Sequence, residues 1–311
     1  MPVFPRRVPD SLVEIADPLI EILGQLVPAA DAHRARAALA DMDLLSVRAI
    51  GLEVVLPPHP PACDVSVLMP PRHVPPFARV GHDVLAALAV SAGALDSTWW
   101  ELDTSVEPSP VGAFIRSTKA DALPLVQDAA AEMPDLARAV STLEALVTPY
   151  WRGKGRLIGF FPDREPAPVA AALVPDLDGA AADVIRGLGS RATIAVDPDS
   201  DLFGHLAQHL DGSSIAIAAD GDGRTAVSWE GSFWEREQAM ADGRWAPALQ
   251  PDPVWGDAAP SLSALLAVQG IHTFDALPTI RLLSGIDHIK IGPGGKVKAY
   301  VGAHIVMPGQ R

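Results

Sequence analysis

Apolar positions along the chain switch back and forth between helical spacing and strict alternation. Residues 10–27 (DSLVEIADPLIEILGQLV) predict a helix, capped by Asp10 or Ser11 and interrupted at Pro18. A second helix follows over 29–41, with His33, Arg34 and Arg36 on a solvated face. Strands are predicted at 44–56 and 65–69, a short amphipathic helix at 80–92, and strands at 98–106 and 111–117 turning through 107–110. Residues 120–147 form two helical pieces divided at Pro134, and 156–161 and 169–174 are strands again. Then come a helix at 178–188, a short strand at 192–196 and a helix at 199–210. Strands at 215–219 and 224–229 flank Asp220-Gly221-Asp222-Gly223, whose residue types suit a tight hairpin turn. Residues 233–242 are helical, 247–260 loop-like, and 261–268 form a last helix before a hairpin over 280–306 that turns at Gly292-Pro293-Gly294-Gly295.

Helices thus alternate with about five hairpins, and such short turns demand antiparallel pairing, which argues against a doubly wound parallel sheet. The fold class is α+β. Two arrangements satisfy it: one closed sheet ringed by helices, of the αββα barrel kind, or two smaller α+β layers. At 311 residues and 49 % apolar the chain can bury a core as one large domain. If it divides, the sub-boundary falls in the proline-rich tract 57–77 (PPHPPACDVSVLMPPRHVPPF), read as loops and an edge strand.

Charge narrows the partners. A formal net charge of −14 argues against nucleic acid or an anionic membrane surface, because both attract basic faces. A single cysteine, Cys63, rules out an intrachain disulfide and a cysteine-rich metal site, and its proline-rich neighbourhood offers no activating base. With no apolar run long enough to span a bilayer and no signal-like start, the expectation is a cytoplasmic protein, with homo-oligomerisation open.

The terminal hairpin stands out chemically. Side chains alternate across a strand, so His288 and Lys290 share a face with Ile286, and Lys296, Lys298 and Tyr300 share another across the turn. A basic face on an acidic protein needs a negative partner, and Trp99, Glu101 and Asp103, on one side of the strand STWWELDTSV, are the nearest in kind. Glu101 and Asp103 stand about 7 Å apart on that face. Such a pair can hold a divalent metal, share acid–base work or pair with Arg116 or the hairpin lysines. Trp99 and Trp100 put one indole on each side of the strand; core burial is the default for both, and the one not taken by the core could wall a pocket. His205 and His209, with Asp201 a turn earlier, have helical ligand spacing but lack the HExxH context, so no metal site is assigned. Arg116, Arg152, Lys154, Arg156, Arg224, Lys290, Lys296 and Lys298 sit on or beside strands, where converging cations could hold a diphosphate or a peptide carboxylate.

Two family resemblances follow. ELDTS with Asp103, GRLIGFFP with Arg156, and KVKAYVG with Lys296 and Tyr300 resemble strands of the αββα-barrel aromatic prenyltransferases. That resemblance implies a closed barrel that uses an allylic diphosphate, held by Arg116, Arg156, Arg224 and Lys296. Only two tyrosines, Tyr150 and Tyr300, are present to shield a carbocation, so shielding would rest on tryptophans. WWELDTS, GIDHIKI and KAYVG also resemble the peptide-binding proteins of crocagin-type ribosomal-peptide clusters, which implies a non-catalytic holder of a precursor peptide for its modifying enzymes. No complete catalytic constellation stands in the chain, so the preferred expectation is this accessory role, without a catalytic residue or cofactor. Lys290, Lys296, Lys298, Tyr300, His288 and Trp99 are the expected peptide contacts, and hairpin edges the expected place for an added strand.

Overall fold

The structure, a computed structural model, describes residues 3–6, 20–21, 23–40, 42, 47–70, 73–78, 97–116, 123–150, 157–175, 180–210, 212–232, 249, 253–267, 270–274 and 277–306. In chain order its elements are β1 (Val3–Arg6), α1 (Ala29–Ala40), β2 (Ala49–Val55), β3 (Cys63–Met69), β4 (Ser97–Asp103), β5 (Val111–Arg116), α2 (Leu123–Ala130) and α3 (Pro134–Val147). There follow β6 (Leu157–Phe161), β7 (Val169–Pro175), α4 (Ala181–Gly189), β8 (Ile194–Ala195), α5 (Asp201–His209), β9 (Gly212–Asp220) and β10 (Thr225–Ser232). The chain ends in α6 (Ala259–Leu266), β11 (Gly270–Phe274), β12 (Leu277–Ile291) and β13 (Val297–Val306).

Hydrogen bonding runs β13-β2-β3-β4-β5-β6-β7-β9-β10 and then from β10 to β12, which is already paired with β13. These pairings, all antiparallel, close a ten-stranded barrel. Closure chooses the first of the two arrangements open from sequence, and it removes the edges on which a peptide could be added along these strands. The barrel is made of five hairpins in succession. Three short strands lie outside the ring: β1 runs parallel to β11, β11 pairs with β12, and β8 runs parallel to β10. The sequence reading held no strand at 3–6 or 270–274.

Alternation sorts every barrel strand into an inner and an outer face. Val65, Val67, Trp100, Ala113, Ile115, Ile158, Phe160, Ile215, Ile217, Val227 and Trp229 point outward and are buried against helices, with Leu136, Leu143 and Phe203 among the facing side chains. Each such burial contributes about 1.5–3 kcal/mol for a side chain of leucine or isoleucine size. The core therefore lies between barrel and helices, which leaves the lumen free for other chemistry.

Several local expectations change. The tract 57–77 supplies β3, paired on both sides, so it is an interior strand and not an edge; its prolines stop short of Cys63–Met69. Pro134 begins α3 at a position that needs no amide hydrogen. Arg34 is not on a solvated face: its Nε donates to the Thr104 carbonyl at 2.6 Å and its Nη2 to Asp31 at 2.8 Å, tying α1 to the β4–β5 turn. The predicted helices at 80–92 and 233–242, most of the one at 10–27, and Arg152, Lys154 and Arg156 lie outside the described residues.

Candidate functional site

A lumen of about 670 Å³ runs through the barrel. Strands β10, β12, β13, β2, β3 and β4 line one half with Glu230, His288, Lys290, Lys298, Tyr300, Glu53, Asp64 and Glu101. Strands β5, β6, β7 and β9 line the other with Phe114, Leu157, Phe161, Val169, Ala171, Leu173, Ala216 and Ala218. Trp99 adds its indole from β4, while Trp100 is fully buried on the outer face with Nε1 donating to the His73 carbonyl at 3.2 Å.

The terminal hairpin places its cations inside. A register shift between Ile286 and His288 separates these two residues, contrary to simple alternation: Ile286 pairs with Val301 and is buried, whereas His288 pairs with Tyr300 and faces the lumen. Lys290 lies opposite Lys298, and the two ammonium groups are separated in charge by carboxylates reaching from adjacent strands. Lys298 contacts Glu53 directly and Asp64 at 3.8 Å; Lys290 meets Glu230 at 3.0 Å. The basic face does meet carboxylates, but its ion pairs are with Glu53, Asp64 and Glu230 and not with the expected Glu101 and Asp103. Lys296 stands just before β13, at the end of the turn, and does not line the cavity. The rings of His288 and Tyr300 stack with centroids 3.8 Å apart, and His288 Nε2 lies 3.9 Å from Glu230.

Asp103 is held from an unexpected direction. Its described ion-pair partner is Arg164, from the β6–β7 turn, at 3.4 Å, and Ser105 donates to it through both backbone and hydroxyl. Arg164 also lies 5.3 Å above the Phe161 ring, so one guanidinium caps both halves. No sequence signal marked Arg164, which sits in the loop DREP (163–166) between two predicted strands. Glu53, Asp64 and Glu230 were equally unmarked, although each alternates with apolar residues on its strand.

Burial sets the charge states. It pushes the Glu101 carboxyl up to about 7, with Arg164 and Lys290 pulling down and Asp103 and Glu230 pushing up. Burial, then the charges of Glu101 and Asp103, holds Asp64 well above the usual carboxylate range. Burial draws the Lys298 ammonium down to about 8 and, with nearby carboxylates, raises the Tyr300 hydroxyl. Near neutral pH the lumen thus carries fewer charges than its composition suggests. Cys63, buried and facing outward, has its thiol pushed up by burial and is no nucleophile.

The apolar half rests on glycine. The Phe161 ring lies where a Cβ on Gly112 would project, and the Phe114 ring where a Cβ on Gly159 would, so both phenyl groups occupy space that only glycine leaves open. They meet edge to face with centroids 5.7 Å apart.

Other sequence candidates fall elsewhere. Arg224 is exposed on the β9–β10 turn, 3.7 Å from Asp222, and does not line the lumen. Arg116 ends β5, and its side chain lies outside the described residues. His205 and His209 meet ring to ring at 5.1 Å on α5, away from the lumen lining, and among the described residues no three potential ligands gather as a metal site. Asp220-Gly221-Asp222-Gly223 is the expected hairpin turn, with Gly223 at φ +84° and the Asp220 carboxylate accepting from the amides of Asp222 and Arg224.

No protein-family profile and no curated protein sequence matches the chain. Solved structures do. The 5-dimethylallyltryptophan synthase of Streptomyces coelicolor superposes with a TM-score of 0.56 at 15 % identity, over 94 % of this chain and 97 % of that one. The prenyltransferase PriB in its apo form gives 0.59 at 14 % identity, over 95 % and 96 %. AnaPT from Neosartorya fischeri gives 0.59 at 12 % identity, over 95 % and 94 %. The fold is a prenyltransferase-like barrel. At this identity the likeness concerns architecture, and the side chains of the lumen carry the rest of the argument. Among the described residues no helix is long and apolar enough to cross a membrane.

Proposed function

We propose that the lumen is the working site and that it alkylates an aromatic guest with an allylic diphosphate. The observation that carries this reading is a closed barrel whose cavity sets Lys290 and Lys298 across from an apolar wall of Phe114, Phe161 and small residues, with Arg164 over the Phe161 ring. A neighbour of the same fold, PriB, has been solved with L-tryptophan and dimethylallyl thiolodiphosphate, which supports a barrel lumen as a place for both reactants. In the reaction the allylic C–O bond breaks, a C–C bond forms to the ring, and the ring proton leaves to a base. Trp99, Tyr300 and the two phenyl rings would face the allylic cation. The diphosphate reaches the lysines only by exchanging with Glu53 and Glu230, and that exchange is easier while Glu101 is neutral and Lys298 charged. Donor binding should therefore weaken as pH rises through about 7 and 8.

The test is incubation of the protein with dimethylallyl diphosphate and indole acceptors, with products read by mass spectrometry. A mass increase of one prenyl group on the acceptor supports the reading; no product with any indole, at pH 6 or 8, ends it. One observation favours a second reading, a holder of a precursor peptide without catalysis. Lys290 and Lys298 already have carboxylate partners, so the lumen is furnished for a guest that brings little negative charge. A peptide with an aromatic residue would then bind at micromolar affinity while no product forms.

A further inference from the structure

On β3 and β4 two lumen carboxyls, Asp64 and Glu101, have no cation closer than 3.8 Å among the described residues. Asp103 has Arg164, Glu230 has Lys290 and Glu53 has Lys298. Asp64 shares a side-chain hydrogen bond with Asp103 and has Lys298 at 3.8 Å, while Glu101 feels Arg164 and Lys290 only through space, with no close ion pair among the described residues. They sit on neighbouring strands, Asp64 opposite Asp103 and Glu101 opposite Ser66. Both line the same cavity as Trp99, Phe114 and Phe161. Around them stand Glu53 of β2, Lys298 and Tyr300 of β13, Lys290, His288 and Asp287 of β12, Glu230 of β10, Asp103 of β4 and Arg164 of the β6–β7 turn. A buried carboxyl without its own cation is satisfied in one of two ways: it takes a proton, or a ligand brings positive charge.

We propose that Asp64 and Glu101 form an ammonium-binding subsite, and that the guest of this barrel is an aromatic amine of net positive charge. The inference rests on the lumen being the ligand site and does not depend on prenyl transfer. Trp99, on the same strand face as Glu101, offers a π surface beside the ammonium. A ligand carboxylate would be unwelcome, because Glu53 and Glu230 already occupy the lysines that could receive it. A zwitterionic amino acid should bind less well than the corresponding amine. The proton balance is explicit: the ligand arrives as R–NH₃⁺, docks on carboxylate, and the proton held by Glu101 leaves to solvent. Since burial keeps Glu101 protonated up to about pH 7, amine binding should strengthen as pH rises, opposite in sign to the dependence expected for a diphosphate.

Calorimetric titration of the full chain with tryptamine, L-tryptophan and 3-methylindole, at pH 6 and pH 8, tests this. Tryptamine should bind at least tenfold (about 1.4 kcal/mol) more tightly than either of the others at pH 8. That advantage should shrink to roughly twofold at pH 6, where the carboxyl holds its proton. The observed enthalpy at pH 7 should vary with the ionisation enthalpy of the buffer, reporting proton release. Glu101→Gln should bring tryptamine down to the level of 3-methylindole, with Asp64→Asn as a second variant should the first not fold. If neither folds, the three wild-type affinities decide. Tryptamine no tighter than 3-methylindole at pH 8, tryptophan equal to tryptamine, or no binding of any of the three overturns the proposal. Turnover of an allylic diphosphate is read separately, so either reading can fail without the other.

Discussion

Strands β10, β12, β13, β2, β3 and β4 turn lysines, carboxylates, a histidine and a tyrosine into the lumen, whereas β5, β6, β7 and β9 turn in alanines, Val169, two leucines and two phenyl rings. Both halves share one outer face of packed aliphatic and aromatic residues. The difference lies in how each inner face avoids destabilising the barrel. The polar half must neutralise what it buries, so Glu53, Glu230 and Asp103 each have a cation. The other half has no charge to neutralise and keeps space open by being small: Ala171 sits directly opposite Ala218. One half is consequently sensitive to the loss of a partner, and the other to the gain of volume.

Removing a partner from the polar half should have the largest effect. Lys298→Ala leaves Glu53 buried without its cation and should cost about 3–5 kcal/mol in urea unfolding. The double variant Lys298→Met with Glu53→Leu should recover most of that loss. If both cost the same, the pair is not the unit that matters.

The two tryptophans compare inner with outer face on one strand. Trp100→Ala empties a fully buried site and should cost about 3–5 kcal/mol. Trp99→Ala, facing the lumen, should cost about 1 kcal/mol. Equal losses would mean that Trp99 is core and not cavity wall.

Glu101→Gln sharpens the electrostatic side. A carboxyl whose folded value is raised from 4.5 to about 7 costs stability progressively as pH rises from 4.5 to about 7, and the full cost persists above that value. Glutamine should therefore stabilise the protein by about 2 kcal/mol at pH 8 and change little at pH 4. Thermal unfolding at the two pH values measures it, and equal effects at both would refute the burial argument.

The smallest expected change in stability comes from the apolar half. Ala171→Phe should fill the lumen and weaken 3-methylindole at least tenfold, about 1.4 kcal/mol, with the midpoint of unfolding nearly unmoved. A collapse in stability would show that this wall has no room to spare.

Much of the architecture was legible because hairpins announce themselves locally. Asp220-Gly221-Asp222-Gly223 and Gly292-Pro293-Gly294-Gly295 carry the residue types their turns require, and the alternation on either side fits a face-sorted strand. Part of the lumen lining was visible in the same way: His288, Lys290, Lys298, Tyr300, Trp99 and Glu101 all line one cavity. The carboxylates that meet the lysines were not visible, because Glu53 and Glu230 reach Lys298 and Lys290 from strands remote in sequence, which no local pattern encodes. Arg224, also basic and strand-adjacent, shows the limit from the other side: alike in sequence, it lies on an exposed turn.

The sequence by itself determined the alternation of helices and hairpins, the antiparallel pairing within each hairpin, and the inner-versus-outer choice at most strand positions, since these depend on side-chain period and turn chemistry between near neighbours. Only the tertiary structure decided that β10 meets β12 and so closes the barrel, and that the shift at Asp287 sends Ile286 outward while His288 stays in. It also decided that the lysines of the last hairpin find carboxylates from the first barrel strand and from β10. Those contacts join residues as far as 245 positions apart, and burial inside the closed ring, which no residue carries on its own, is what moves Glu101 and Lys298 toward neutrality.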